Sequence, residues 1–347
     1  GTGGGAAAGL LYWYMVAAWG GYVFVLNVVG CHAGALVLLG RYSTGVYRSY
    51  SLFYVVGTGL AMYTLPVVGW TPLKSLEQMG PLMVFLGYQL IEICEVLRRR
   101  NGWARKQAWG VRVAVFAGAL ALSSLLVYHL APTGYFGPLS ARVRGLLIPH
   151  TRTGNPLVDS VAEHKATHSR QFYQYLHFVC YLVPAGLLVG LYRFSNATSF
   201  LLLYAALSTY FSSKMVRLII LLGPGMCALA GMALGTMFHW SVHQFVDLTG
   251  AAPVPVTSVA TKKQKMADSV VRKMVSACFF LALYIYSPIY YAYCENAAAD
   301  MAHPTIMFKA EISDGSIVTV DDYRQAYGWL KKNTPADARI LAWWDYG

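Results

Sequence analysis

Arg217-Leu218-Ile219-Ile220-Leu221-Leu222-Gly223-Pro224-Gly225-Met226-Cys227-Ala228-Leu229-Ala230-Gly231-Met232-Ala233-Leu234-Gly235-Thr236-Met237-Phe238 is an apolar run headed by a single cation. Its length is close to the ~20 residues a helix needs to cross a bilayer, and nothing after Arg217 in it is charged. Comparable runs lie on both sides. Working outward, spans are expected at about 7–21, 22–39, 51–69, 80–97, 111–131, 176–194, 199–215, 217–238 and 274–294. The first pair reads either as two spans broken at Trp19-Gly20-Gly21 or as one long helix. A more polar tail follows, with a strand at Ile317-Val318-Thr319-Val320 and a helix over Asp321–Lys332. A turn at Pro335-Ala336-Asp337 and a strand over Arg339–Trp344 complete it. The expected fold is mainly α: a multi-span membrane domain over 1–294, then the start of a mixed α/β soluble domain over 295–347.

Composition agrees, since 56% of residues are hydrophobic and only 12% charged, about half the charged share of soluble domains. The net charge of +12 is unevenly placed. Arg41 and Arg48 fall in one loop; Arg98, Arg99, Arg100, Arg105, Lys106 and Arg112 in a second; Arg193 in a third; Lys262, Lys263, Lys265, Arg272 and Lys273 in a fourth. With nine spans these loops share one side, which the positive-inside rule assigns to the cytoplasm. The loop at 70–79, the long loop at 132–175 and the tail then share the other side, where any joint active site must be built. Cations confined to short juxtamembrane loops, with no aromatic-interleaved groove, exclude nucleic acid as a partner. The six cysteines have no paired spacing and read as packing residues. A start at Gly1-Thr2-Gly3, without methionine or signal sequence, is expected of an internal piece of a longer protein.

Eight of the fifteen carboxylates come after residue 294, so each one among the spans needs a reason. Glu92 and Glu95 lie on the helix running into Arg98 and Arg99, where pairing three or four residues along is the ordinary explanation. Glu163, in Asp159-Ser160-Val161-Ala162-Glu163-His164, has no such local duty and is either a solvated loop residue or catalytic. A loop of about forty residues without clear secondary structure is uncommon unless functional or disordered. Near its start Gly134, Tyr135, Phe136 and Gly137 suit a hinge, an aromatic contact or an ordinary turn. Lys214 and Arg217 sit at the outer junction of two spans, as snorkelling anchors or, for Arg217, as a guanidinium fork able to hold phosphate oxygens bidentately. The closing Trp343-Trp344-Asp345-Tyr346-Gly347 sets two indole donors beside a carboxylate acceptor, a set that can satisfy a hydroxyl. Its other reading is a buried strand end with Asp345 opening a turn. His239 and His243, four apart with no third ligand near, read as packing or interface residues. Nothing matches a Walker loop, a dinucleotide fingerprint or a serine-nucleophile elbow.

Four of these segments, Trp19-Gly20-Gly21-Tyr22, Ser160-Val161-Ala162-Glu163-His164, Met215-Val216-Arg217-Leu218 and Trp343–Gly347, occur in the order found in the catalytic subunit of oligosaccharyltransferase, which the chain resembles over nearly its whole length. Ala162 departs from the family's SVSE pattern by one serine hydroxyl. The resemblance implies a polytopic GT-C glycosyltransferase fold and protein N-glycosylation. In that reaction an oligosaccharide passes, with inversion, from a polyprenyl (dolichyl) pyrophosphate to the asparagine of Asn-x-Ser/Thr. It implies that Glu163 is catalytic and contacts the acceptor, that Arg217 is catalytic and binds the donor pyrophosphate, and that Trp343, Trp344 and Asp345 hold the acceptor's +2 hydroxyl. Mn²⁺ or Mg²⁺ is the implied cofactor, with its acidic ligands upstream of residue 1 and Glu163 close to the ion. The implied partners are lipid-linked oligosaccharide, acceptor polypeptides and membrane lipid, with the subunit acting alone or beside other oligosaccharyltransferase subunits. The implied site faces the lumen of the endoplasmic reticulum. Two other readings are another polyprenyl-phosphate glycosyltransferase of the same architecture, which leaves Trp343–Gly347 without a role, and a transporter. Pro184, Pro224 and Pro288 fall in spans but show none of the repeat symmetry a transporter predicts.

Overall fold

The structure is a computed structural model that describes residues 2–64, 68–137, 166–245, 259–302, 307–311 and 317–341. It comprises two compact units, Gly1–Ala251 and Ala252–Gly347.

Among the described residues the regular elements of the first unit are all helices. Its helices are α1 (Thr2–Ala18), α2 (Tyr22–Leu38), α3 (Thr44–Met62), the single turn α4 (Thr71–Lys74), α5 (Leu76–Asn101), α6 (Arg105–Leu130), α7 (Ser169–Leu176), α8 (Val179–Tyr192), α9 (Asn196–Lys214) and α10 (Ile219–Phe245). Trp19-Gly20-Gly21 does break the first pair, and Arg48 lies inside α3 rather than in a loop. By length and apolarity alone, four helical stretches among the described residues can cross a bilayer: Leu76–Asn101, Trp109–Thr133, Val216–Phe245 and Ser269–Asp300. The bent pair α7–α8 makes a fifth if taken as one span. The remaining apolar runs hold helices too, α3 ending at Met62, but α1 and α2 have 17 residues each, about 25 Å of helix against a hydrocarbon core of about 30 Å.

Two buried phenols bond across helices, while the buried Tyr12 hydroxyl has no partner among the described residues. Tyr50 donates to the Pro81 carbonyl at 2.9 Å and Tyr88 to the Ala33 carbonyl at 2.8 Å, tying α3 and α2 to α5. Pro81 has no N–H, which would leave the Glu77 carbonyl unpaired inside α5; the Asn27 side-chain amide of α2 fills that place at 2.8 Å. Elsewhere the backbones themselves touch. A Cβ on Gly5 would stand 2.3 Å from the Ser49 carbonyl oxygen of α3, and one on Gly186 would stand 2.0 Å from that of Leu229 on α10.

The long loop expected to run to residue 175 ends earlier than that, because α7 begins at Ser169. His168 starts it: its ring nitrogen accepts from the Arg170 amide at 3.3 Å while the Gln171 side chain accepts from the His168 amide at 2.8 Å. α7 meets α8 at 87°, and His177 makes the corner with φ 46°.

The second unit holds α11 (Val259–Ala302), an antiparallel pair β1 (Phe308–Glu311) and β2 (Ile317–Val320), and α12 (Asp322–Asn333). β2 and α12 fall where the pattern puts them. β1 was not foreseen; it pairs with β2 from Phe308↔Val320 to Glu311↔Ile317. The strand expected over Arg339–Trp344 is not formed at Arg339–Leu341, where Ile340 and Leu341 are exposed and no partner strand lies among the described residues. Its remainder lies outside them.

Candidate functional site

Contacts within the first unit sort its loops into two ends. One end gathers the basic residues. Arg41, in the connection from α2 to α3, donates to the Asn196 side chain at 3.2 Å and lies 4.9 Å over the Phe194 ring, beside Arg193. Next to it, Tyr42 donates to Glu92 on the last turns of α5, and burial followed by that bond raises the phenol well above its ordinary range. Glu95 then holds Arg98 at 2.5 Å, Arg99 at 3.3 Å and Arg112 of α6 at 2.9 Å. Pairing of Glu95 along α5 was legible from spacing. The bond between Glu92 and Tyr42, and the reach of Glu95 to Arg112, were not.

The opposite end collects the other turns. Phe24, on the first turn of α2, packs edge-on against Phe211 near the end of α9, with ring centroids 5.9 Å apart. The Asn27 bond to Glu77 brings the start of α5 to the same place. Here the Gly137 amide donates to the Lys74 carbonyl at 3.2 Å, and the Lys74 ammonium lies 5.5 Å over the Tyr135 ring. So Tyr135 makes an aromatic contact, and the segment entering the long loop is pinned to the α4 turn.

The far side of that loop returns to this same end. Past the end of α9, Met215 is extended and Val216–Leu218 form one 3-10 turn carrying exposed Arg217. The last carbonyls of a helix have no partner inside it. Phe211 finds one in the Met215 amide at 3.2 Å, and Ser212 and Ser213 find theirs in a different segment. The Thr167 hydroxyl donates to the Ser212 carbonyl and the Thr167 amide to the Ser213 carbonyl, the latter at 3.3 Å. No sequence signal marked Thr167, because which carbonyls a threonine reaches across the fold is not encoded in its neighbours. Of the residues singled out from sequence, Arg217 is thus placed, at the end remote from the cation cluster. Glu163, Trp343, Trp344 and Asp345 lie outside the described residues.

Among the described residues no group of three His, Cys, Asp or Glu side chains could hold a metal ion. His239 and His243 face each other with ring nitrogens 3.1 Å apart. α7, α8, α9 and α10 line an open apolar groove of about 520 Å³, bounded by Phe172, Leu176, Cys180, Leu202, Leu222 and Met226 among others.

Residues 4–230 match the family model described as oligosaccharyl transferase STT3, N-terminal. The chain is 32% identical over 359 residues to the dolichyl-diphosphooligosaccharide–protein glycosyltransferase subunit stt3 of Schizosaccharomyces pombe, covering 99% of this chain and 47% of that protein. Against the stt-3 subunit of Caenorhabditis elegans the identity is 31%, covering 97% and 46%. The chain therefore spans about half the length of the curated relatives it matches. In fold it is similar to the archaeal oligosaccharyltransferase AglB of Archaeoglobus fulgidus solved with an inhibitory peptide and a dolichol-phosphate. There the TM-score is 0.59 and the identity 17%, covering 96% of this chain and 36% of that one. A second structure, of the A. fulgidus enzyme tethered to an acceptor peptide containing an NVT sequon, gives a TM-score of 0.57 at 16% identity, covering 95% and 35%.

Proposed function

The chain belongs to the oligosaccharyl transferase STT3 family, and from that premise we propose that the whole protein N-glycosylates proteins. It transfers an oligosaccharide from a dolichyl-type pyrophosphate to the asparagine of Asn-x-Ser/Thr. The observation that carries the site reading is the cap on α9: Thr167, four residues after Glu163, is bonded to Ser212 and Ser213, and the turn bearing Arg217 follows directly. No more than about 14 Å of extended chain separates Glu163 from that anchor.

An amide nitrogen is a weak nucleophile, so the site must localise its lone pair or strongly stabilise the leaving group. Glu163 accepts a hydrogen bond from the acceptor amide. Arg217 holds the departing pyrophosphate through its planar fork, at the membrane edge where a lipid-borne phosphate lies. Trp343, Trp344 and Asp345 surround the +2 hydroxyl of the acceptor. Mn²⁺ or Mg²⁺ is the cofactor of the whole protein and would neutralise phosphate charge. The described residues supply no cluster of three His, Cys, Asp or Glu side chains for it.

The end bearing Arg217 faces the lumen of the endoplasmic reticulum, a reading supported by the cations gathered at the opposite end. The relatives are named as subunits, which supports further oligosaccharyltransferase subunits as partners beside the lipid-linked donor, acceptor polypeptides and bilayer lipid. The test is turnover of the full-length protein. Glu163→Ala should lower it about 10²–10³-fold, the usual loss for a transition-state hydrogen bond. Arg217→Lys should lower it as well, since an ammonium cannot make the bidentate contact. Wild-type turnover in both variants would overturn the assignment.

A further inference from the structure

Thr167 supplies two donors to two carbonyls that α9 cannot satisfy by itself. We propose that Thr167 is a positioning residue for the transfer reaction: by capping α9 from outside, it fixes where that helix stops and so where Arg217 is presented. The inference rests on the assignment of Arg217 to the donor pyrophosphate.

Ser212 is fully buried and its own hydroxyl is spent on the Thr209 carbonyl at 3.1 Å, so it does not serve the end of the helix. Ser213 likewise turns its hydroxyl back, to the Tyr210 carbonyl at 2.7 Å. With the Thr167 hydroxyl removed, the Ser212 carbonyl can regain a partner by adding a turn to α9 with the amide of Val216 four residues on. That change would draw the extended Met215 into the helix and alter where Arg217 is presented around its axis. The cap therefore selects the break over the continuous helix.

A purely structural threonine and a positioning threonine differ in how they combine with Arg217. The experiment measures affinity of the full-length protein for a synthetic dolichyl-pyrophosphate-linked chitobiose, and separately for a fluorescent Asn-x-Thr peptide. The variants are Thr167→Val, Thr167→Ser, Arg217→Lys and the double variant Thr167→Val/Arg217→Lys. Thr167→Val keeps size and amide but drops the hydroxyl; it should weaken donor binding about tenfold, the scale of leaving a buried acceptor unpaired, with peptide affinity nearly unchanged. Thr167→Ser should restore it. The double variant should be no weaker than Arg217→Lys alone, because residues acting as one unit are not additive. Additive losses, or equal losses for donor and peptide, would overturn the positioning role while leaving the Arg217 assignment standing. Unchanged donor affinity in Arg217→Lys would overturn both.

Discussion

Gly186 sits where α8 crosses α10 at backbone contact, and replacing it with alanine tests that crossing. The added Cβ would lie 2.0 Å from the Leu229 carbonyl oxygen and 2.5 Å from its carbon, whereas ordinary contact begins near 3.4 Å. The two helices must therefore part locally by about 1.4 Å. Leu229 and Ala230 are almost wholly buried, and separation on that scale forfeits much of the dispersion they share with α8. Overpacking of this kind costs about 1–3 kcal/mol, set against the roughly 0.5–1 kcal/mol that alanine gains over glycine within a helix. Gly231, also on α10, has no atom within 4 Å of its would-be Cβ and serves as the control, since Gly231→Ala collects the propensity gain alone. Gly186→Ala should melt below Gly231→Ala in a thermal scan of the purified full-length protein, by less than the ~2–4 °C per kcal/mol of a 150–250-residue domain because the shift shrinks with chain length. Equal melting temperatures, or a higher one for Gly186→Ala, would refute the close crossing.

Three further outcomes are expected. Asn196-Ala197-Thr198 has the form of a glycosylation sequon, yet Asn196 bonds Arg41 at the basic end, so a glycosidase shift assay and peptide mass spectrometry should find Asn196 unmodified; a glycan there would reverse the sidedness of the bundle. Glu95→Gln should lower the melting temperature by the equivalent of about 1–3 kcal/mol, less than a fully buried pair would cost because the arginines are 38–59% exposed, and an unchanged melt would show that the bridge to Arg112 does not hold α6 to α5. Asp345→Ala should weaken acceptor peptide binding and spare the donor in separate titrations, and an acceptor with alanine at +2 should fall by about 10⁴–10⁵ in kcat/KM; unchanged peptide affinity would remove the hydroxyl-holding role.

The helices were legible because each is written in one stretch of chain. Apolar runs, the Gly20-Gly21 break and the alternation at Ile317–Val320 are local patterns, and local backbone preference decides them. β1 escaped notice because a four-residue strand is recognisable only through its partner, and the pairing with β2 lies across an intervening segment. α7 escaped because its start depends on a reciprocal cap between His168 and Gln171, and histidine is not among the residues read as N-caps.

The candidate site divides along the same line, and the division explains which of its parts can be read early. Arg217 was accessible from sequence because charge at the edge of an apolar run is conspicuous, and charge asymmetry alone assigned its turn to the end away from Arg41, Arg98, Arg112 and Arg193. The contacts Arg41–Asn196 and Phe24–Phe211 place those groups at opposite ends of one bundle without any appeal to charge. What charge cannot specify is how an arginine at a helix end is held still. That depends on which donor meets the unpaired carbonyls of Ser212 and Ser213, and the donor comes from a segment 45 residues away. A motif can therefore record the chemistry of such a site while the residue that aims it, here Thr167, carries no signature of its own; it becomes visible only once the carbonyls at the end of α9 are accounted for one by one.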